Sequence, residues 1–150
     1  MRSSLPVLLV LLLVGIAYPA LAAEGNRVGY VTFEEARVQL LDGNARVDVD
    51  YSVDPGMGLI ILLFGSGDLQ KKIERSLNFP SARPEEVGLT HAVFLVDHAA
   101  EDYGDHAYWF PGHRFGVTFP AVEVRAPGYS LFFPDAGSIP KSFGYFSAGS

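Results

Sequence analysis

Glu34-Glu35-Ala36-Arg37-Val38-Gln39-Leu40-Leu41-Asp42-Gly43-Asn44-Ala45-Arg46-Val47-Asp48-Val49-Asp50-Tyr51-Ser52-Val53 is the stretch that decides the fold. Ala36, Val38 and Leu40 alternate with Glu35, Arg37 and Gln39. Beyond Asp42-Gly43-Asn44, the residues Ala45, Val47, Val49, Tyr51 and Val53 alternate with Arg46, Asp48, Asp50 and Ser52. Side chains on a strand point to opposite faces in turn, so period-two alternation on both sides of an Asp-Gly turn reads as a β-hairpin. With Asp42 and Gly43 as the turn, Leu40 faces Ala45, Val38 faces Val47 and Ala36 faces Val49. Arg37 then faces Asp48, a favourable cross-strand pair on the other side. A turn at Gly43-Asn44 keeps the same faces and changes only the partners. One face is core and the other is solvent.

Moving toward the C-terminus, Asp54-Pro55-Gly56 reads as a turn. Leu59 to Phe64 is a continuous apolar run, read as a strand buried on both faces or as the buried start of a helix, and Gly65-Ser66-Gly67 breaks it. Asp68 to Asn78 is a helix: Leu69, Ile73 and Leu77 form one apolar stripe, with Gln70, Lys71, Lys72, Glu74 and Arg75 on the wet side. Ser66 or Asp68 is placed to cap its start, and Asn78 and Pro80 end it. Residues 81–86 read as a polar loop and Val87 to Val96 as a strand. Asp97 to Gly112 reads as a long loop without period. Short strands follow at His113 to Phe119, Ala121 to Arg125 and Tyr129 to Phe133, punctuated by Pro120, Pro127-Gly128 and Pro134. Strands outnumber helices, so the expected class is α+β: a mainly antiparallel sheet with one helix, about 68–78, packed on it. A β-sandwich with one peripheral helix is the alternative.

Toward the N-terminus, Arg2 precedes an almost wholly apolar stretch, Leu5 to Ala17, and Ala20-Leu21-Ala22 offers the small residues a signal peptidase reads. This is the pattern of a secretory signal. Residues 1–22 are expected to be a signal peptide and 23–150 a single β-rich domain. The rival reading is an uncleaved anchor at residues 5–23, interrupted by Pro6, Gly15 and Pro19. The chain has no cysteine, which suits an exported prokaryotic domain better than a small eukaryotic secreted one. The expected location is extracytoplasmic: secreted, periplasmic or at the cell surface.

The 150 residues carry 11 basic and 17 acidic side chains, a net charge of -6. No basic cluster exists beyond Lys71, Lys72 and Arg75, which argues against nucleic-acid binding and against attraction to anionic lipid. Membrane contact is expected only if the N-terminal segment is retained.

Four histidines, His91, His98, His106 and His113, fall among Asp97, Glu101, Asp102 and Asp105. Imidazole and carboxylate are metal ligands, though these spacings match no zinc signature. If the loop folds back, His98, His106, Asp102 and Asp105 are the candidate ligands for a divalent ion, Ca²⁺ or Zn²⁺. Otherwise the segment is a solvated acidic loop, and no other cofactor is called for. Gly65-Ser66-Gly67-Asp68 before a helix fails as a nucleophile elbow, because glycine must stand two places from the serine, not one. As a phosphate site it fails because Asp68 repels anions. The doublets Glu34-Glu35, Glu85-Glu86 and Glu101-Asp102 are not catalytic pairs, since neighbours on a strand point apart.

The last third is dense in aromatics. Phe115, Phe119 and Phe132 fit a core, whereas Tyr108-Trp109-Phe110 in an irregular loop cannot all face inward. These three are the candidate recognition surface, able to stack sugars or grip a partner protein. The expected function is therefore a non-enzymatic extracytoplasmic binding or envelope-associated module, with a cell-envelope component or another protein as partner. The alternatives are a small exported metal-dependent hydrolase using the loop at 97–113, and an envelope protein anchored by its N-terminus.

Overall fold

The computed structural model describes residues 25–148. The expected signal or anchor at residues 1–22 lies outside the described residues. Strands β1 (Arg27–Val28), β2 (Val31–Leu41) and β3 (Asn44–Val53) come first. Two helices follow, α1 (Pro55–Phe64) and α2 (Gly67–Leu77), and then strands β4 (Ala82–Val87), β5 (His91–Val96), β6 (Glu101–Asp102), β7 (Ala107–Phe110), β8 (His113–Ala126), β9 (Tyr129–Ile139) and β10 (Phe143–Phe146). The class is α+β and mostly strand, with two short helices among the described residues where the sequence reading expected one.

The main sheet runs in the order β4-β5-β3-β2-β8-β9, with β1 attached to β2. The hairpin register is the one read with Asp42-Gly43 at the turn: Leu40 opposite Ala45, Val38 opposite Val47, Ala36 opposite Val49 and Arg37 opposite Asp48. The register shifts between Phe33 and Glu35, so that Phe33 and Ala36, three apart, both point inward. Among the described residues all pairings but one are antiparallel; β2 and β8 run parallel, Glu35 opposite Ala121 through Gln39 opposite Arg125.

The inner face of the sheet forms the core with Val38, Val47, Val49, Phe94, Phe119, Val122 and Val124, all fully buried. Helix α2 lies against it through Leu69, Ile73 and Leu77, each at 0 % exposure. The approach is close at Gly116 of β8, where a Cβ would stand 2.5 Å from the Arg75 carbonyl oxygen. Asn78 ends α2 in the left-handed conformation, φ 60°, and its side-chain amide donates to the Arg114 carbonyl at 2.9 Å. Ser66 holds the N-cap position without a side-chain bond. Asp68 instead pairs with Lys72 at 2.9 Å and accepts from the Tyr30 hydroxyl at 2.7 Å.

Five readings need correction. The segment read as a polar loop at residues 81–86 is strand β4, paired with β5 at the sheet edge. Asp54-Pro55-Gly56 opens α1, with Pro55 in the first turn where its missing N–H costs nothing. The run Leu59 to Phe64 is helical but not buried: only Ile61 is. The segment 97–112 is not one irregular loop, because it contains β6 and β7. Phe132 is 63 % exposed, since β9 is an edge strand and Phe132 lies opposite Glu123 on the outward face.

Candidate functional site

Strands β6, β7 and β10 make a second, three-stranded sheet in the order β10-β7-β6. Alternation along β7 assigns its side chains to two faces. Tyr108 and Phe110 share one with their partners Tyr145 and Phe143. Their rings pack in pairs, Tyr108 with Tyr145 at 5.6 Å and Phe110 with Phe143 at 5.4 Å. Phe110 and Tyr145 belong to the core of the molecule, at 1 % and 4 % exposure. This corrects the expected recognition surface: Phe110 is a core residue, Tyr108 is half-buried and only Trp109 of the three is well exposed.

The other face is open. Trp109 stands opposite Gly144, and Ala107 opposite Phe146. A Cβ at Gly144 would lie 3.4 Å from the Trp109 ring, so the absence of a side chain there leaves room for the indole to lie against the strand. Trp109 is 40 % exposed, Phe146 70 % and Tyr103 69 %. Together they border a cleft of about 520 Å³ whose lining is largely apolar. The Tyr103 hydroxyl donates to Glu101 Oε2 at 3.0 Å, placing a carboxylate on the rim, and that bond raises the tyrosine pKa.

Two attachments hold the small sheet to the hairpin tip. The Tyr145 hydroxyl donates to the Asp42 carbonyl, and the Ala100 amide donates to the Gly43 carbonyl at 3.1 Å. Burial, with Tyr108, Asp42 and Tyr129 nearby, pushes Tyr145 up to about 12, so it stays a neutral donor. The turn joining β6 and β7 is built by local bonds: Asp102 Oδ1 accepts from the Gly104 amide at 2.8 Å, and Gly104 takes φ +80°.

The four candidate metal ligands scatter around this turn. His98, Asp102, Asp105 and His106 are all exposed, and Asp102 is engaged by its own turn. Among the described residues no three His, Asp or Glu side chains stand close enough to hold an ion together. His98 and Asp102 do share the wall of a second cleft, about 480 Å³, which meets the aromatic cleft at Tyr108.

The remaining histidines serve elsewhere. His113 Nε2 is 2.6 Å from the Leu77 carbonyl, where its N–H caps the end of α2, and its ring stacks on Phe79 at 3.6 Å. Burial lowers its pKa, which keeps the imidazole neutral. His91 lies on the outward face of the main sheet between Asp50, 2.7 Å from Nδ1, and Asp48, 3.4 Å from Nε2. Arg37 binds Asp50 at 2.7 Å and Arg46 approaches Asp48 at 3.4 Å. Although burial works to raise it, the Asp50 carboxyl sits below its usual range because Arg37 and His91 donate to it. The sequence reading missed this cluster, whose members come from strands 41 residues apart along the chain. Period-two alternation had already put Asp48 and Asp50 on one face. The cluster has no nucleophile beside the imidazole, and both carboxylates are matched by arginine.

Comparison with protein-family models, curated proteins and solved structures gives no significant match.

Proposed function

We propose that this protein is an exported, non-enzymatic recognition module that holds a cell-envelope saccharide in the aromatic cleft of its small sheet. The observation that carries the reading is the trio Trp109, Phe146 and Tyr103, exposed together around one apolar cleft while their neighbours Phe110 and Tyr145 are buried. Large aromatics held in water on a rigid strand cost stability and are retained where they bind something. A flat indole takes the apolar face of a pyranose ring. Glu101 and the Tyr103 hydroxyl on the rim supply the acceptors that sugar hydroxyls need. Export is supported by Arg2, the apolar Leu5 to Ala17 and Ala20-Leu21-Ala22.

Trp109 is the only tryptophan, so its emission reports on the cleft directly. Titration with soluble peptidoglycan fragments and with other envelope glycans should shift that emission saturably, and Trp109→Ala should abolish binding measured calorimetrically. Unchanged emission across the panel, or full binding by the variant, would remove the proposal. Competition by an envelope protein and not by glycans would replace the saccharide with a protein partner.

The metal-dependent reading takes its support from His98 and Asp102 sharing the adjoining cleft. Zn²⁺ and Ca²⁺ titrations of the wild type and of His98→Ala test it: saturable binding lost in the variant would establish an ion site. The anchored reading is tested by intact mass. A chain beginning at Ala23 or Glu24 means cleavage, and one beginning at Met1 means retention.

A further inference from the structure

Helix α1 is apolar on every side and has little of the protein against it. From Pro55 to Gly67 the chain carries no charged side chain. Ile61 is the helix's one buried residue, seated near Val87 and Leu89. Leu59, Ile60, Leu62, Leu63 and Phe64 are 63 %, 45 %, 71 %, 68 % and 84 % exposed. Successive residues of a helix are about 100° apart, so these five spread over roughly 200° of the circumference, centred on Leu63 and facing away from Ile61. An apolar helix without a polar side belongs in an apolar surrounding, not at a water interface.

We infer that α1 is a lipid-contacting element that sinks into the acyl region of one bilayer leaflet. The shape of the patch favours lipid over a second copy of the chain. A flat protein face reaches only about half of a 200° arc, whereas acyl chains close around all of it. Five partly exposed side chains offer on the order of 600 Å², short of the roughly 800 Å² per partner of a stable dimer. The length also fits: ten helical residues span about 15 Å, half the roughly 30 Å hydrocarbon core.

The start of the described residues points the same way. Arg27, close to the start of the described chain, bonds Asp54, the residue just before α1, at 2.7 Å. The described chain therefore begins at the end of the hairpin where α1 sits. The aromatic cleft is tied to the other end of the hairpin, at Asp42-Gly43. The length of β3, about 30 Å for its ten residues, separates the two. Insertion of α1 leaves the cleft facing away from the bilayer.

The chain has no cysteine, so Leu63→Cys in the full chain places one environment-sensitive fluorophore on α1. With vesicles of phosphatidylcholine alone, that label should brighten several-fold, resist aqueous iodide and be quenched by nitroxides on the acyl chains. The same label at exposed Gln39, on the outward face of the sheet, should stay open to iodide. Introducing Leu62→Asp and Phe64→Asp should return the position 63 label to water. Continued iodide quenching of the position 63 label in the presence of vesicles would overturn the inference. So would shielding that grows with protein concentration without lipid, the mark of a second copy, or immersion that survives the two aspartates.

Discussion

Phe110→Ala and Trp109→Ala, one residue apart on β7, should separate stability from recognition. Phe110 is 1 % exposed and packs against Phe143 at 5.4 Å. Truncating a buried phenylalanine removes its transfer free energy and leaves a cavity, a loss of about 3–5 kcal/mol. Against a total stability of about 5–15 kcal/mol, that is a large fraction. For a domain of this size each kcal/mol moves the melting temperature by roughly 3–5 °C, so Phe110→Ala should melt roughly 9–25 °C lower. Trp109 is 40 % exposed and lies over Gly144, which leaves no void inside the core when it is cut back. Its loss should amount to about 1–2 kcal/mol, or roughly 3–10 °C. Circular-dichroism melts, supported by urea unfolding at unchanged slope, measure both. Binding of glycan should be lost in Trp109→Ala and kept by Phe110→Ala below its transition. Equal destabilisation, or a milder effect at Phe110, would refute the face assignment of β7 and with it the cleft.

Val47→Asp should prevent folding, since it buries an unpaired charge at 0 % exposure between Val38 and Phe94. Asp48→Ala, on the outward face, should cost no more than about 1 kcal/mol, and matched losses in melting experiments would mean the register is wrong. Burial holds the His113 pKa below 6.5 in the folded state, so the unfolded chain binds the extra proton first. Its contribution is complete above pH 6.5 and is lost as pH falls from there toward the folded pKa. His113→Gln, which keeps a donor for the Leu77 carbonyl, should flatten that limb of a stability–pH curve, and an unchanged slope would assign it elsewhere. Gly116→Ala forces a methyl group to within 2.5 Å of the Arg75 carbonyl oxygen and should destabilise by about 1–3 kcal/mol in chemical denaturation. A neutral result would mean α2 is free to move away from β8.

What was legible in the sequence was what local chemistry controls. The β2–β3 register follows from alternation and a two-residue turn, and α2 from a stripe spaced at four, with Asn78 to stop it. Three features had no local signature. The β2–β8 pairing joins Glu35 to Ala121, and nothing near either residue marks the other. Strands β6 and β7 are two and four residues long, too short to display a period. Strand β8 continues through Pro120, which suggested a break; the parallel ladder with β2 begins only at Ala121, so the missing N–H falls outside it. The apolar run at Leu59 to Phe64 misled because hydrophobicity was equated with burial, while the helix presents five of those six residues outward. At the site, composition singled out Tyr108-Trp109-Phe110, but alternation on a strand split them between two faces. Phe146 and Tyr103 joined the cleft through pairing that the sequence does not display.

The parallel β2–β8 pair also sets an order of assembly as the chain emerges into the compartment where it folds. A growing chain acquires β2, β3 and then β5 within its first hundred residues, and these can zip together by antiparallel pairing. Until residues 121–125 emerge, β2 keeps one open edge. An unpaired strand beside an apolar face recruits other chains. Contacts of such sequence separation also close slowly. A chain cut short before Ala121 would therefore expose a sticky edge, and β8 from Ala121 onward acts as the clasp that closes it.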